Sequence, residues 1–125
     1  MKLIIAGSRT LSPSCEGIIE YLYDTGAVSN ETWEGLAEVV SGGAQGVDTS
    51  AERFASWSRK KFVLFPADWN THGKAAGPMR NRQMAEYADA LLLIWDGRSG
   101  GSRNMRQEML RLGKPVFEVI LRTIV

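Results

Sequence analysis

Residues 41–48 read SGGAQGVD: an apolar run stops, three glycines fall within five positions, and an acid follows. Two other stretches have the same character, GSR at Gly7–Arg9 and RSGGS at Arg98–Ser102. Small residues at such points let something approach the main chain. A phosphate is the natural candidate. Backbone N–H groups at a helix N-terminus, aided by the helix dipole, hold it where side chains would block it. None of the stretches has the G-x-G-x-x-G spacing of a dinucleotide fingerprint or the G-x-x-x-x-G-K-[ST] of a P-loop. The other reading is that the glycines only make tight strand-to-helix turns. Three such loops at one sheet edge favour the ligand.

Several side chains extend this chemistry. Arg80 can make a two-pronged contact to a phosphate. Asp48 can accept hydrogen bonds from a ribose hydroxyl, or it can simply stabilise the first turn of a helix. Trp69, in the loop before Arg80, can stack on a base or plug the top of the core. His72 is the only histidine and no cysteine lies near it, so no metal site is expected and a solvated loop residue is the plain reading. Trp95 ends the most apolar run and reads as core.

The elements that must position these residues follow from periodicity. KLIIAGSR, AEVVSGG, KFVLFPAD, DALLLIWDG and KPVFEVIL read as five strands. DALLLIWDG is apolar without alternation, the pattern of a strand buried on both faces of a parallel sheet. Between the strands lie helical segments. Ser12 can cap the first, with Pro13 at its first position and Gly26 as its stop. Val47, Ala51, Phe54 and Ala55 form one face of the second. WNTHGKAAGP reads as a loop, with MRNRQMAEYA as the helix after it. RSGGS reads as a loop before RNMRQEMLRLG, which turns Met105, Met109 and Leu112 inward. Strands alternating with helices predict an α/β fold: a Rossmann-like three-layer sandwich around a mainly parallel five-stranded sheet. With strand order 3-2-1-4-5, the loops after strands one and four flank the switch point where ligands bind.

The 125 residues suggest one domain spanning residues 1–125. The chain is 44% hydrophobic and 23% charged, ordinary for a globular domain. Its single cysteine, Cys15, fits a reducing, cytoplasmic setting, and no apolar run is long enough for a membrane span. The N-terminus does not read as a signal peptide. Fifteen basic against fourteen acidic residues leave a net charge of +1, which offers no broad field for nucleic acid. Arginines do cluster locally, at Arg80 and Arg82 and again at Arg98, Arg103, Arg106 and Arg111.

GSR, SGGAQGVD, FPADW, AGPMRNRQM and WDGRSGGS occur in this order. Together they resemble the SLOG superfamily of Rossmann-like proteins, and within it the small single-domain YspA-type branch. The resemblance runs from Lys2 to about Val119. Relatives include LOG-type nucleotide phosphoribohydrolases, DNA-binding DprA proteins and ligand-sensing domains of bacterial defence systems. It implies a pocket for a nucleotide or nucleotide-derived ligand. The matching positions are Gly7, Ser8 and Arg9; Gly42, Gly43, Ala44, Gly46 and Asp48; Arg80 and Asn81; and Asp96, Gly97, Gly100, Gly101 and Ser102.

The phosphoribohydrolases carry a glutamate in a G-x-G-T-x-x-E pattern. Here that position is Met105, with Asn104 beside it and Glu108 about one turn further on. A thioether cannot move a proton. The expectation is therefore a nucleotide-ligand sensor or sequestering module without turnover and without a cofactor. A nucleotide N-glycosidase using Asp48, Asp96 or Glu108 comes second. DprA-like binding of single-stranded DNA comes last, because of the balanced charge. A homo-oligomer is also expected, through the Met105/Met109 face or Tyr21–Tyr23.

Overall fold

Each apolar run that ends in glycine or proline becomes a strand, and each amphipathic run between two of them becomes a helix. A computed structural model describes residues 1–122. The strands are β1 (Lys2–Gly7), β2 (Glu38–Ser41), β3 (Lys61–Leu64), β4 (Ala90–Trp95) and β5 (Val116–Ile120). The helices are α1 (Cys15–Asp24), α2 (Val47–Ser58), α3 (Trp69–His72), α4 (Ala76–Tyr87) and α5 (Gly100–Arg111), with 3₁₀ turns at Trp33–Gly35 and Gly73–Ala75. The sheet has the order β3-β2-β1-β4-β5, and its neighbours pair in parallel. This is the predicted Rossmann-like α/β architecture.

Strand pleating explains why β1 and β4 are apolar at successive positions. Leu3 and Ile5 of β1, with Leu92 and Ile94 of β4, pack against Ile18 and Leu22 of α1 and Val47, Ala51 and Phe54 of α2. Ile4 and Ala6, with Leu91, Leu93 and Trp95, face the other way onto Met84 and Ala85 of α4 and Met105 and Met109 of α5. Alternate residues feed opposite layers, so both sets must be hydrophobic. Trp95 is core, as expected, and its indole N–H donates to Glu118 (2.8 Å). Met105 and Met109 are spent on this core, so the face expected to meet a second copy is not available. Tyr21 packs against the other layer and Tyr23 is exposed.

Three helix starts differ from the sequence reading. Ser14, not Ser12, caps α1, accepting from the Gly17 N–H (3.0 Å). Ser12 and Ser14 are equivalent by type, and only the packing of α1 selects between them. Residues 69–78 are not a loop: α3 forms there and α4 begins at Ala76. Pro78 is tolerated because it sits in the first turn, where its missing N–H has no intrahelical acceptor to lose. Likewise α5 begins at Gly100, so half of RSGGS is helix. Among the described residues no helix is long and apolar enough to cross a membrane. The expected single domain includes residues 123–125, which lie outside the described residues.

Candidate functional site

The strand order reverses between β1 and β4, and there the two strands end side by side, Gly7 opposite Ile94. The Ser8 N–H donates to the Ile94 carbonyl (3.1 Å), carrying the pairing one residue beyond β1. The Ser8 hydroxyl accepts from the Asp96 N–H (3.1 Å) and hydrogen-bonds the Ser99 hydroxyl (2.9 Å). One Asp96 carboxylate oxygen accepts from the N–H groups of Arg98 and Ser99 (2.8 Å each) and from the Ser99 hydroxyl (2.9 Å). Gly97 makes the turn with φ +82°. Asp96 therefore works within the loop, and with Ser8 and Ser99 it ties the loops after β1 and β4 together.

The amides of Arg98 and Ser99, then the Ser99 and Ser8 hydroxyls, hold the Asp96 carboxyl at about 2, below its ordinary 3.8. A carboxyl depressed by folding stabilises the fold above its unfolded pKa, and that contribution is lost as pH falls through the folded value. We expect Asp96→Asn to flatten the fall in stability between about pH 4 and pH 2 and to lower stability at neutral pH. Urea unfolding across a pH series measures this. An unchanged acid limb would show that Asp96 does not hold the loop.

The loop after β2 is closed by its own chain. The Gly43 N–H donates to the Ser41 hydroxyl (3.2 Å), the Ala44 N–H to Asp48 Oδ2 (3.0 Å) and the Val47 N–H to the Ser8 carbonyl (3.3 Å). The glycines have equally internal reasons. A Cβ on Gly42 would run into the Arg80 guanidinium, and one on Gly46, whose φ is +75°, would meet the backbone oxygens of Ser8 and Arg9. A Cβ on Gly43 would crowd Leu64. Backbone approach and a positive φ account for Gly46, and a φ of +73° accounts for Gly43; the neighbours of Gly42 and Gly43 are the ends of flexible side chains. Gly100 and Gly101 are different, because a Cβ there would meet nothing within 4 Å. Their amides, with that of Ser102, belong to the first turn of α5 and have no intrahelical acceptor.

Arg80 is half-buried on α4. Its Nη1 donates to the Gly42 carbonyl (2.6 Å) and its Nε to Asn81 Oδ1 (3.0 Å); its other N–H groups have no hydrogen-bond partner among the described residues. Asn81 Nδ2 donates to the Gly101 carbonyl (3.3 Å) and Asn104 Oδ1 (2.9 Å), fixing α4 against the start of α5. Burial lowers the Arg80 pKa, which the neighbouring Asp48 opposes. Asp48 is 6% exposed. Burial pushes its carboxyl up, against the Ala44 N–H and the cations Arg80 and Arg9. Its contribution to stability is thus lost as pH rises through the raised value, opposite in sign to that of Asp96.

These groups line a crevice of about 340 Å³ at the carboxyl edge of the sheet. Ala6, Met84 and Met105 contribute its apolar lining; Arg9, Asp48, Arg80, Gly101 and Ser102 lie among its polar lining. A second pocket of about 420 Å³ is lined by Arg9, Gly43, Leu64, Pro66, Trp69 and Arg80. Arg9, Ala44 and Arg80 line both, so the two lie side by side along this edge and together make up a groove of two compartments. Thr10, Leu64 and Pro66 were not picked out from the sequence, since nothing in their types marks a site. Glu108 lies outside the groove, held by Arg111 (3.0 Å) and Arg82 (3.5 Å), so it cannot stand in for the glutamate absent at Met105. His72 is exposed, and no cluster of metal-ligating side chains occurs among the described residues.

No protein-family model matches the chain. It is 39% identical over 101 residues to the Gene 61 protein of Mycobacterium phage D29, covering 68% of this chain and 81% of that protein. Its fold is similar to DNA processing protein A (DprA) from Streptococcus pneumoniae, with TM-score 0.71, 22% identity, and coverage of 98% of this chain and 51% of that one. It is also similar to DprA from Helicobacter pylori, described for its single-stranded DNA binding mode, with TM-score 0.67, 22% identity, and coverage of 98% and 66%. The chain therefore spans about half of the pneumococcal protein and 66% of the other. DprA proteins belong to the SLOG group of Rossmann-like folds. This likeness overturns two expectations: a nucleotide-ligand sensor as the leading function, and nucleic acid as an unlikely partner. The charge argument has a physical weakness. Net charge sums over the whole surface and does not report a local concentration such as Arg9 and Arg80, which line the same pockets.

Proposed function

Because the chain belongs to the family of the mycobacteriophage D29 Gene 61 protein and shares the fold of DprA, we propose that it binds single-stranded DNA along the groove at the carboxyl edge of its sheet. The observation that carries this reading is the adjacency of the two pockets, which share Arg9, Ala44 and Arg80. A mononucleotide needs one pocket; a strand needs a track. One phosphate is held by the first-turn amides of Gly100, Gly101 and Ser102, and Ser102, 6% exposed, adds its hydroxyl to the same wall. Arg9 and Arg80 hold the next. Asp48 keeps the Ala44 loop closed and balances Arg80. We further place the chain, on its five ordered motifs, in the YspA-type branch, as one domain working in a cytoplasmic setting.

The track is short, and its salt dependence should be modest. Each phosphate neutralised on a single strand contributes about −0.7 to the slope of log K against log salt. Two to three contacts predict a slope of about −1.4 to −2.1. Arg9 is exposed and supports no packing, so Arg9→Ala should make the slope shallower by about 0.7 without changing the melting temperature. Fluorescence anisotropy with labelled oligo(dT) across a salt series measures both. Absence of saturable binding at low salt would defeat the proposal.

A further inference from the structure

The second pocket is built differently from the first. Leu64, Pro66, Ala67 and Trp69 line it together with Arg9 and Arg80. Leu64 and Trp69 are 50% and 51% exposed, large apolar surfaces left facing water at a pocket of about 420 Å³. Trp69 is also held in place. Its six-membered ring lies over Gly77, where a Cβ would come within 3.2 Å of Cη2. Asp68 caps α3 by accepting from the Thr71 N–H (3.1 Å), which fixes the turn that presents the ring. The glycine at position 77 therefore gives the indole a seat on the first turn of α4.

We infer that Trp69 is a stacking platform for one unpaired nucleobase of the bound strand, with that nucleotide's phosphate at Arg9 and Arg80 and the neighbouring nucleotide in the first pocket. The inference rests on the single-stranded DNA reading above and adds to it the place of a base. A nucleobase fits the pocket's two-sided chemistry: its face is apolar and polarisable, its edge is polar, and its phosphate is anionic. A purely apolar guest would leave two guanidinium groups facing it, and a bare anion would leave Trp69 and Leu64 uncovered. Stacking on an aromatic ring is tolerant of sequence, since every base has a π-face.

Base–aromatic stacking contributes roughly 5- to 150-fold in affinity by alanine substitution. Trp69 is half-exposed, so the lower part of that range applies. Trp69→Ala should weaken oligo(dT) binding by about tenfold with the salt slope unchanged, and Trp69→Phe should restore most of it. The deciding ligand is an abasic oligonucleotide with the same phosphates. On it, wild type and Trp69→Ala should bind alike, an outcome that a merely structural role for the indole would not give. Trp69→Leu covers Gly77 but has no π-face, and it carries the test if the alanine variant does not fold. Binding of oligo(dT) by Trp69→Ala at wild-type strength, while Arg9→Ala still loses affinity, would overturn the platform and leave the DNA reading standing. An equal loss on abasic and normal strands would also overturn it. Wild-type protein that binds neither ligand would defeat the DNA reading itself.

Discussion

Gly101→Leu should lose single-stranded DNA binding by about 100-fold or more and keep its fold. The two halves of this result have separate causes. A Cβ at position 101 meets nothing within 4 Å, so the first atom of a side chain is accommodated without strain. Leucine is also a better helix former than glycine, by up to about 1 kcal/mol in a helix interior, so the melting temperature should hold or rise slightly. Gly101 lines the crevice beside the first-turn amides of α5, where the proposed phosphate sits. Hydrogen bonds to a charged group contribute about 1.5–3 kcal/mol each, and an isobutyl group there blocks at least two. Calorimetry or anisotropy with oligo(dT), beside a thermal melt, separates the two effects. A variant that binds like wild type would move the phosphate away from α5.

Gly7→Ala should do the reverse, damaging the fold first. A Cβ at Gly7 would fall inside the van der Waals radius of the Ile94 backbone oxygen and press on Val47 Cγ2. Neither obstacle is the free end of a flexible side chain. The oxygen belongs to β4 and accepts from the Ser8 N–H at 3.1 Å. Overpacking in a filled core costs typically 1–3 kcal/mol, and a clash with sheet backbone belongs at the upper end, about 3 kcal/mol. For a domain of this size that lowers the melting temperature by about 10 °C. Gly100→Ala, one methyl into open space, is the matched control and should melt within about 2 °C of wild type. If the two variants melted together, the close approach of β1 and β4 would not be limiting.

The contrast between Gly7 and Gly101 marks what could and could not be read from the residues alone. The alternation of strands and helices was legible, and so was a parallel sheet, because burial of Ala90–Trp95 on two faces leaves a visible pattern; the order 3-2-1-4-5 was taken from the Rossmann-like architecture that this pattern implies. A crevice does lie at the edge that this order singles out. The reason for each glycine was not legible, since a glycine that admits a ligand and one that admits its own chain are the same letter. Gly42 yields to Arg80 across 38 positions of sequence, and no local pattern encodes that approach. The helical turn at Trp69–His72 was hidden by Gly73, Gly77 and Pro78, which read as loop until Pro78 falls in the first turn of α4. Pocket residues such as Leu64 were silent for a related reason: an exposed leucine on an edge strand has a site-like meaning only beside Trp69 and Arg80.

The tie between Ser8 and Ser99 joins residues 91 positions apart. During synthesis at roughly 5–20 residues per second, β1 leaves the ribosome roughly 5–20 s before the loop that must close over it. In that interval β1 can pair with β2, and β2 with β3, but its other edge stands open until β4 arrives. The first pocket cannot exist before residues 99–105 are made, because its far wall is α5, the last helix among the described residues. Non-local closure of this kind also slows refolding compared with a helical protein of the same size. DNA binding by a growing chain should therefore switch on abruptly, only after α5 has emerged.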